Sequence, residues 1–373
     1  MGHLLVTNDF PPKVGGIQSY LWELWRRLPP EEFTVLTTAH PQAVGFDAAQ
    51  RFGVVREQSS VLLPTPALVR RVRALAMDVG ATGVVLDPAL PVGAIGPHIG
   101  LPYALVLHGA EVTVPGRLPG SRAVLAQVLR GAQLIVAAGS YPQAEADRAA
   151  GRALPTVCVP PGVDTDVFVP LAPADKVAVR ERLGLPATGP LVVSVSRLVP
   201  RKGMDVLIHA AVALEPDRPG LTVAIAGGGR DESRLRALVA KTGAPVRLLG
   251  KVPGVDLPDL YACADVFAML CRNRWGGLEQ EGFGIVFVEA AAAGVPAVAG
   301  SSGGAADAVV DGETGVVVAH PDDPRAVARA LAPLLDDPPR RAAMGEAGRH
   351  RAVSSFTYDL LARRLHEALR RLG

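Results

Sequence analysis

Residues 281–300, EGFGIVFVEAAAAGVPAVAG, decide the fold class of this 373-residue chain. The part from Gly282 to Gly300 carries a single charge, and its length approaches the ~20 apolar residues that cross a bilayer. A carboxylate at Glu289 would be costly in lipid, and Gly294 and Pro296 would interrupt a spanning helix. The stretch therefore predicts a helix followed by a buried strand, and not a membrane span.

Short apolar runs alternate with helical patterns on both sides of this stretch, which indicates parallel sheets covered by helices. Strands are predicted in the first half at His3–Thr7, Phe33–Thr37, Gly83–Leu86, Tyr103–Leu107 and Leu134–Ala138. In the second half they are predicted at Leu191–Ser196, Thr222–Ala226, Val246–Leu249, Val266–Leu270, Ala297–Ala299 and Gly315–Val318. The pattern thus restarts once, and we expect two doubly wound α/β domains facing across a cleft lined by the strands' carboxyl ends.

The Pro-rich segment 160–189 is the predicted linker between the two domains. Helical patterns at 340–350 and 358–372 close the chain without a following strand. A terminal helix without its own strand must pack elsewhere, and we expect the last one to cross back to the first domain. The predicted domains are therefore 1–168 with 356–373, and 169–355.

Composition excludes several classes of protein. With 38 Lys+Arg against 36 Asp+Glu, a net charge of +2 argues against a dedicated nucleic-acid binder. The three cysteines form no CxxC pair, which is typical of buried thiols in a reducing compartment. The first residues, MGHLLVTNDF, do not resemble a secretory signal, and we expect a cytoplasmic protein.

A basic loop is the first candidate for ligand binding. Ser196-Arg197-Leu-Val-Pro-Arg-Lys202-Gly203 follows a predicted strand and precedes a helix. Arg197 and Lys202 would lie at the carboxyl edge of the second sheet, where ligands bind in such folds. Two cations there suit a diphosphate, although a solvated basic turn would have the same sequence.

Two glutamates, Glu281 and Glu289, form the second candidate. Glycines at 282 and 284 allow close approach to the backbone, and a helix starting near Phe283 or Gly284 would direct its first N–H groups at an anion. Glu289 lies in an apolar stretch and needs a polar partner, either ligand hydroxyls or backbone. Eight helical residues would separate the carboxylates by about 12 Å, which argues against a glycosidase pair at about 5–9.5 Å.

Two loops in the first half are weaker candidates. Gly15 and Gly16 join a strand to a helix, as in an anion-binding turn or an ordinary tight one. His108 ends the strand YALVL and would face the same cleft, for ligand contact or for a structural role. The Asp164-Thr165-Asp166 sequence resembles a DxD metal motif but lies in the Pro/Gly segment, and we interpret it as turn chemistry.

Together these motifs resemble family 4 of the retaining glycosyltransferases, whose fold is called GT-B and consists of two Rossmann-like domains. The resemblance covers nearly the whole chain and rests on residues 8–20, 108–111, 160–168, 196–203, 226–235, 281–289, 294–309 and 336–349. Within the family, residues 8–21, 62–66, 118–122 and 276–286 are similar to phosphatidyl-inositol mannosyltransferases that use GDP-mannose. The resemblance implies an N-terminal acceptor domain, a C-terminal nucleotide-sugar domain, and α-mannosyl transfer to a glycolipid with retention and without a metal.

The resemblance also assigns roles to residues. Arg197 and Lys202 would bind the donor diphosphate, Glu281 the sugar hydroxyls, and Glu289 the ribose hydroxyls. The base would pack near Lys251 and Val252, and backbone N–H groups of Phe283, Gly284 and Ile285 would meet the phosphates or the sugar. Gly16 would meet the donor from the other domain, and His108 would contact the sugar near its reacting face. The catalytic residues would be His108, Arg197, Lys202 and Glu281. Ala110 and Trp275 depart from the family pattern and leave the acceptor open.

A lipid acceptor implies peripheral membrane contact. The segments Ser19–Leu28 and Leu68–Leu75 combine Arg with Trp or Leu, which is typical of a helix on an anionic membrane or of a core helix with a charged face. Alternatives to the mannosyltransferase are a UDP-sugar-dependent relative with a soluble acceptor, an epimerase of the same fold, and a sensor that binds nucleotide sugars without transfer.

Overall fold

The computed structural model describes residues 2–372, and the chain divides into two compact units. One runs to Gly162 and resumes at Tyr358, and the other is Val163–Thr357. The expected boundaries at 168 and 356 are therefore displaced by a few residues. The reason is that Val163 donates its N–H to the Phe356 carbonyl at 2.8 Å, and Phe168 packs on Tyr261 with ring centroids 5.7 Å apart.

The first unit is built on a seven-stranded parallel sheet in the order β3-β2-β1-β4-β5-β6-β7. Its strands are β1 (Gly2–Thr7), β2 (Phe33–Thr38), β3 (Gly53–Glu57), β4 (Ala81–Asp87), β5 (Tyr103–Leu107), β6 (Leu134–Ala137) and β7 (Thr156–Cys158). Its helices are α1 (Gly16–Trp25), α2 (Ala43–Ala48), α3 (Pro66–Asp78), α4 (Ala110–Arg117), α5 (Pro119–Gly131) and α6 (Ser140–Ala150). Sequence analysis missed β3 and β7, because both are edge strands whose half-buried residues give a weak apolar signal.

The second unit has a six-stranded parallel sheet in the order β10-β9-β8-β11-β12-β13. Its strands are β8 (Leu191–Val195), β9 (Thr222–Ala226), β10 (Val246–Gly250), β11 (Val266–Met269), β12 (Ala297–Gly300) and β13 (Gly315–Val318). Its helices are α7 (Pro173–Arg182), α8 (Met204–Leu214), α9 (Glu232–Thr242), α10 (Leu257–Ala262), α11 (Ile285–Ala292), α12 (Ala305–Ala308), α13 (Pro324–Asp336) and α14 (Pro338–Ser355). The deciding stretch thus forms α11 followed by β12, as predicted.

Both sheets bury their central strands on two faces. In β1 the alternation of side chains sends Leu4 and Val6 into one apolar cluster and Leu5 into the other. In both sheets the strand order reverses beside the first strand, at β1/β4 and at β8/β11. Loops at the carboxyl ends of these strands are where ligands bind in doubly wound folds.

The last helix, α15 (Tyr358–Leu369), belongs to the first unit, as expected. Its face of Tyr358, Leu361 and Leu365 is buried in the apolar cluster that also contains Leu21 and Leu24 of α1. The helix therefore supplies part of the core of a domain whose other elements end at Cys158, 200 positions before Tyr358.

The predicted linker 160–189 is not a free connection. It contains α7, and the buried Arg180 donates to the carbonyls of Cys263 and Gly189, both at 2.9 Å, and to Asp265 at 3.1 Å. This guanidinium ties the Pro-rich segment to the second unit, so composition alone was misleading here.

The two segments considered for membrane contact are core helices with charged outer faces. Trp25 of α1 is fully buried and donates its indole N–H to His3 at 2.9 Å, and Trp22 donates to Gln50. The apolar face of α3, formed by Leu68, Val72 and Leu75, is likewise buried. Within residues 2–372, no helix is long and apolar enough to traverse a bilayer.

Candidate active site

The basic loop after β8 is held by backbone hydrogen bonds to the neighbouring strand ends. Ser196 donates its N–H to Ala226 at 3.1 Å, and Leu198 donates to Gly228 at 3.0 Å. Gly203 ends the loop with φ +70°, and a Cβ there would lie 2.2 Å from the Leu270 carbonyl oxygen. The path of the loop is therefore fixed, and position 203 requires glycine.

The two predicted cations of this loop have different surroundings. Arg197 is exposed, and among residues 2–372 its guanidinium has no hydrogen-bonding or ionic partner. Lys202 is buried, and its Nζ donates to Glu281 Oε2 at 2.7 Å. The fold thus brings together Lys202 and Glu281, which are 79 positions apart.

Arg201, which sequence analysis did not select, completes this cluster. Its Nη1 donates to the same Glu281 oxygen at 2.8 Å and to the Gln280 carbonyl at 3.3 Å. The consecutive Arg201-Lys202 pair was visible in the sequence, but the shared carboxylate was not. Arg201 Nε also lies 3.8 Å from Glu279 Oε1, and Glu279 pairs with Arg274 at 3.0 Å and Arg230 at 3.9 Å. In this network the cations therefore outnumber the two carboxylates, Glu279 and Glu281.

The Glu281 carboxyl is ionised. Burial would raise its pKa, but Lys202 and Arg201 outweigh that effect and lower the pKa from 4.5 to about 2. Cys271 also directs its thiol at Glu281 Oε2, with a sulfur–oxygen distance of 3.4 Å. An ionised carboxylate accepts hydrogen bonds only, so its remaining lone pairs suit hydroxyl donors.

Backbone packing fixes the chain around Glu281. The Gly304 N–H donates to the Glu281 carbonyl at 3.0 Å, and the Glu281 N–H donates to Ser302 Oγ at 3.2 Å. A Cβ at Gly303 would lie 2.0 Å from the Glu281 carbonyl oxygen, and one at Gly304 would lie 2.2 Å from the Gly282 oxygen. The two consecutive glycines, Gly303 and Gly304, are therefore needed for the close approach of their loop to the backbone of Glu281 and Gly282.

Gly284 precedes α11 with φ +88°, so the helix starts at Ile285, slightly later than expected. Glu289 is consequently the fifth helical residue, little more than one turn from the helix start. Its Oε2 accepts a hydrogen bond from the Tyr261 hydroxyl at 2.7 Å, and burial raises the pKa of this carboxyl. Its protein partner is thus a tyrosine rather than the backbone.

Two further loops lie at the same sheet edge. Gly227 donates its N–H to the Gly250 carbonyl at 2.7 Å, which joins the loop after β9 to the end of β10. Lys251 and Val252 follow directly, and the Lys251 side chain is exposed. Gly228, in the loop after β9, lies next to the Lys251 side chain: a Cβ there would lie 3.4 Å from Lys251 Cε. The two loops are therefore neighbours at this edge of the sheet.

The remaining predicted residues, His108 and Gly16, lie in the first unit. His108 follows β5, and its Nε2 pairs with Asp87 Oδ1 at 2.6 Å. Its ring meets Tyr20 edge-on with centroids 5.5 Å apart. Gly16 begins α1, and a Cβ there would meet nothing within 4 Å.

Comparison with known proteins decides the class. The family profile described as "Glycosyl transferases group 1" matches residues 175–351. A GDP-mannose-dependent alpha-(1-6)-phosphatidylinositol monomannoside mannosyltransferase of Mycobacterium tuberculosis is 41% identical over 98% of this chain and 97% of that protein. The chain belongs to the group 1 glycosyl transferases. The predicted family and enzyme class are thereby confirmed.

Other relatives of this glycosyltransferase agree with that assignment. A GDP-mannose-dependent monoacylated alpha-(1-6)-phosphatidylinositol monomannoside mannosyltransferase of Corynebacterium glutamicum is 38% identical over 98% of this chain and 97% of that protein. The crystal structure of Anabaena HepE with UDP and glucose aligns over 100% of both chains, with a TM-score of 0.82 and 24% identity. At that identity the structural likeness shows the fold alone, and the GT-B class is confirmed.

The DxD-like sequence of the glycosyltransferase is a turn, as interpreted. Asp164 Oδ1 accepts the Asp166 N–H at 3.1 Å, and the Asp164 carbonyl accepts the Phe168 N–H at 2.9 Å. Asp164 is therefore engaged by local backbone.

Proposed function

We propose that this glycosyltransferase moves an α-mannosyl group from GDP-mannose to a phosphatidylinositol mannoside. The observation that carries the proposal is the 41% identity to the Mycobacterium tuberculosis enzyme over nearly the whole of both chains. Near-complete coverage matters because donor and acceptor recognition would fall on different domains.

Departure of GDP is the step that the basic loop would serve. As the bond between the sugar carbon and the phosphate oxygen breaks, negative charge accumulates on the diphosphate. Arg197, Lys202 and the first N–H groups of α11 would stabilise that charge, and fixed donors of this kind contribute strongly to catalysis. Support comes from the exposed Arg197 guanidinium and from the excess of cations around Glu281 and Glu279, which are paired with Lys202, Arg201, Arg230 and Arg274.

The carboxylates would orient the donor by accepting hydrogen bonds. Glu281, ionised and fixed by two cations, would accept from sugar hydroxyls. Glu289 would accept from the ribose hydroxyls through Oε1, since Oε2 is engaged by Tyr261.

The remaining donor contacts complete the proposed site. The backbone at Phe283, Gly284 and Ile285 would meet phosphate or sugar oxygens, and the base would pack beside Lys251 and Val252. Two residues of the first unit would contact the donor: Gly16 and His108.

The reaction balances without a side-chain nucleophile. The bond between the anomeric carbon and the phosphate oxygen breaks, a bond to the acceptor oxygen forms on the same face, and the acceptor proton moves to the phosphate oxygen that departs with GDP. We propose that no metal takes part, because the cations of the chain supply the positive charge that a metal would provide.

A soluble acceptor is the second candidate. A D-inositol 3-phosphate glycosyltransferase of Thermobispora bispora is 39% identical over 56% of this chain and 49% of that protein. This partial match favours an inositol-containing acceptor without a lipid tail, and the same transfer assay can include it.

We further propose that the enzyme works in the cytoplasm and contacts the inner face of the cell membrane peripherally. A phosphatidylinositol-based acceptor is embedded in lipid, so the acceptor domain must approach a bilayer. Leu63 and Leu118 of that domain are 53% and 48% exposed. An exposed arginine lies seven positions after the first, at Arg70, and four positions after the second, at Arg122. Cosedimentation with liposomes should depend on anionic lipid and fall for Leu63→Ser with Leu118→Ser; binding that ignores both would overturn this part.

The decisive experiment measures binding and transfer in EDTA. Calorimetry should give tighter binding of GDP than of UDP or ADP, and labelled GDP-mannose should yield a mannosylated phosphatidylinositol mannoside. Arg197→Ala should lower turnover by roughly 10²-fold, whereas Arg329→Ala, which removes an exposed arginine of α13, should leave it unchanged. Preference for UDP, loss of activity in EDTA, or normal turnover of Arg197→Ala would each contradict the corresponding part of the proposal.

A further inference from the structure

Asp87 ends β4 and is completely buried, and it takes no part in the proposed contacts with the donor. Both of its carboxylate oxygens are engaged by side chains from neighbouring strand ends. Oδ1 pairs with His108 Nε2 at 2.6 Å, and Oδ2 accepts the Thr7 hydroxyl at 2.6 Å. Burial of a carboxylate costs free energy unless it is paired in this way. The presence of a buried carboxylate at this position therefore suggests a specific role for Asp87.

The pairing fixes which nitrogen of His108 remains for a ligand. Because the Asp87 carboxylate accepts the hydrogen bond, Nε2 is the nitrogen that carries the proton between them, and among residues 2–372 nothing pairs with Nδ1. The edge-on contact with Tyr20 holds the ring. The Glu111 carboxylate holds the backbone, since it accepts the N–H of His108 at 2.5 Å and of Gly109 at 3.0 Å. Tyr20 is itself anchored by its hydroxyl to the Val159 carbonyl at 2.8 Å.

We propose that Asp87 is a positioning residue that orients His108 and keeps it an imidazolium, so that Nδ1–H donates a hydrogen bond to an oxygen of the bound sugar. This inference rests on the proposed sugar transfer for its ligand. It assigns His108 the chemistry of a cationic donor and excludes a role as a base, because the nitrogen facing the ligand carries a proton.

Three carboxylates act on His108, whereas α1, which packs against it through Tyr20, contributes a neutral ring. Asp87 lies on β4, Glu111 on α4 and Asp9 in the loop after β1, and Asp9 is also paired with Lys13 at 2.7 Å. Burial lowers the pKa of His108, but these carboxylates outweigh burial and raise its pKa above the usual 6.5.

The same network reaches the loop that precedes α1. Thr7 Oγ1 accepts the Asp9 N–H at 2.8 Å, and Asp9 Oδ1 accepts Gln18 Nε2 at 2.6 Å. Asp87 therefore connects His108 to the turn that carries Gly16. The same hydrogen-bond network thus supports both residues of this domain that are predicted to contact the donor.

The test is the titration of the His108 ring in the full-length protein, followed by NMR and assigned with His108→Gln. Asp87→Asn should lower the pKa of His108 by at least one unit. Glu145→Gln, which neutralises another buried carboxylate of the same unit, paired with Arg117 and Arg148, should leave it unchanged. A folded Asp87→Asn protein with an unaltered His108 titration would overturn the inference.

Activity supplies a readout that a purely structural role would not move. The kcat/KM for mannosyl transfer should fall as the pH rises through the pKa of His108. Asp87→Asn should move this alkaline limb of the pH profile to lower pH, by the same amount as the pKa of His108 changes in the titration. Asp87→Glu should restore part of it. An unshifted limb in Asp87→Asn would refute the role.

Wild-type protein alone also decides the matter if Asp87→Asn does not fold. Nitrogen-15 spectra should show Nε2 protonated and hydrogen-bonded from pH 5 to 9 and Nδ1 as the titrating atom; the reverse would overturn the inference. Absence of transfer from GDP-mannose by wild-type enzyme would instead overturn the proposed function, and the ring titration would still test the Asp87–His108 pair.

Discussion

Glu281 shows how a single residue can serve both stability and binding. Its carboxylate is the only acidic side chain within hydrogen-bonding distance of Lys202 Nζ in residues 2–372. Removing one member of a buried ionic cluster leaves its partners unpaired, which costs more than the pair itself contributes.

Glu281→Gln should therefore lower the free energy of unfolding by about 3 kcal/mol at pH 7, because the buried Lys202 loses its counter-charge and Arg201 keeps only the more distant Glu279, at 3.8 Å. Urea unfolding measures the effect. Glu346→Gln, at an exposed position of α14, should change stability by less than about 0.5 kcal/mol.

The pH dependence of that difference has a defined sign. The pKa of Glu281 is about 2 in the folded protein against a usual 4.5, so its contribution is complete above pH 4.5 and is lost as the pH falls towards 2. The difference in the free energy of unfolding between wild type and Glu281→Gln should decrease over that range. A difference that stays constant would contradict the ion pairs of Glu281.

At the scale of elements, the contact between the loop after β12 and the segment before α11 depends on glycine. Gly303 has φ +51° and a Cβ there would meet the Glu281 carbonyl, whereas Gly312 has φ +76° in open space. Both positions carry the left-handed penalty for alanine, of about 1 kcal/mol, but only the first adds a clash.

Gly312→Ala should thus cost about 1 kcal/mol of stability and leave GDP affinity unchanged. Gly303→Ala should cost a further 1–3 kcal/mol, roughly the penalty of overpacking, and weaken GDP binding because the Glu281 backbone must move. Thermal unfolding and calorimetry measure both effects. Equal effects from the two substitutions would show that the close approach is unimportant.

The packing of β1 on α1 carries a second pH effect. His3 is buried and accepts the Trp25 indole N–H at 2.9 Å through Nε2, which only the neutral ring can do. Burial lowers the pKa of His3 from 6.5 to about 4. The stability from this group is complete above pH 6.5 and is lost as the pH falls towards 4.

Between pH 7 and pH 5, the wild-type protein should lose about 2 kcal/mol of stability through His3. His3→Gln keeps an acceptor that does not titrate, so its loss over the same range should be smaller by that amount. Denaturant unfolding at the two pH values gives both numbers, and parallel pH profiles would refute the assignment.

At the scale of the whole molecule, the first unit is completed by the end of the chain. Leu365 of α15 is fully buried among residues of α1 and the first sheet. Its truncation should leave a cavity in the first unit and not in the second.

Leu365→Ala should cost 2–5 kcal/mol and raise hydrogen exchange in β1 and α1 while β8–β13 keep their protection. Leu331→Ala, at a fully buried position of α13, should give the opposite pattern. Exchange that rises equally in both units after either substitution would contradict their separate cores.

Sequence patterns predicted the central strands well, because a strand buried on both faces is a continuous apolar run. They also selected Arg197 and Lys202, which follow an apolar strand, Glu281, which precedes a glycine, and Glu289, a lone carboxylate within an apolar stretch. Edge strands β3 and β7 gave no such signal, and the Pro-rich composition of residues 160–189 concealed the buried Arg180.

The sequence by itself determined the fold class, the family and the segments that carry the site, because these depend on local apolar periodicity and on contiguous motifs. The tertiary structure alone decided the pairings Lys202–Arg201–Glu281, Tyr261–Glu289 and Thr7–Asp87–His108, each of which joins residues separated by 21 to 80 positions. Such pairings depend on strand order and on the path of glycine-rich turns, and the energetic need to satisfy a buried charge becomes apparent only when its neighbours are known.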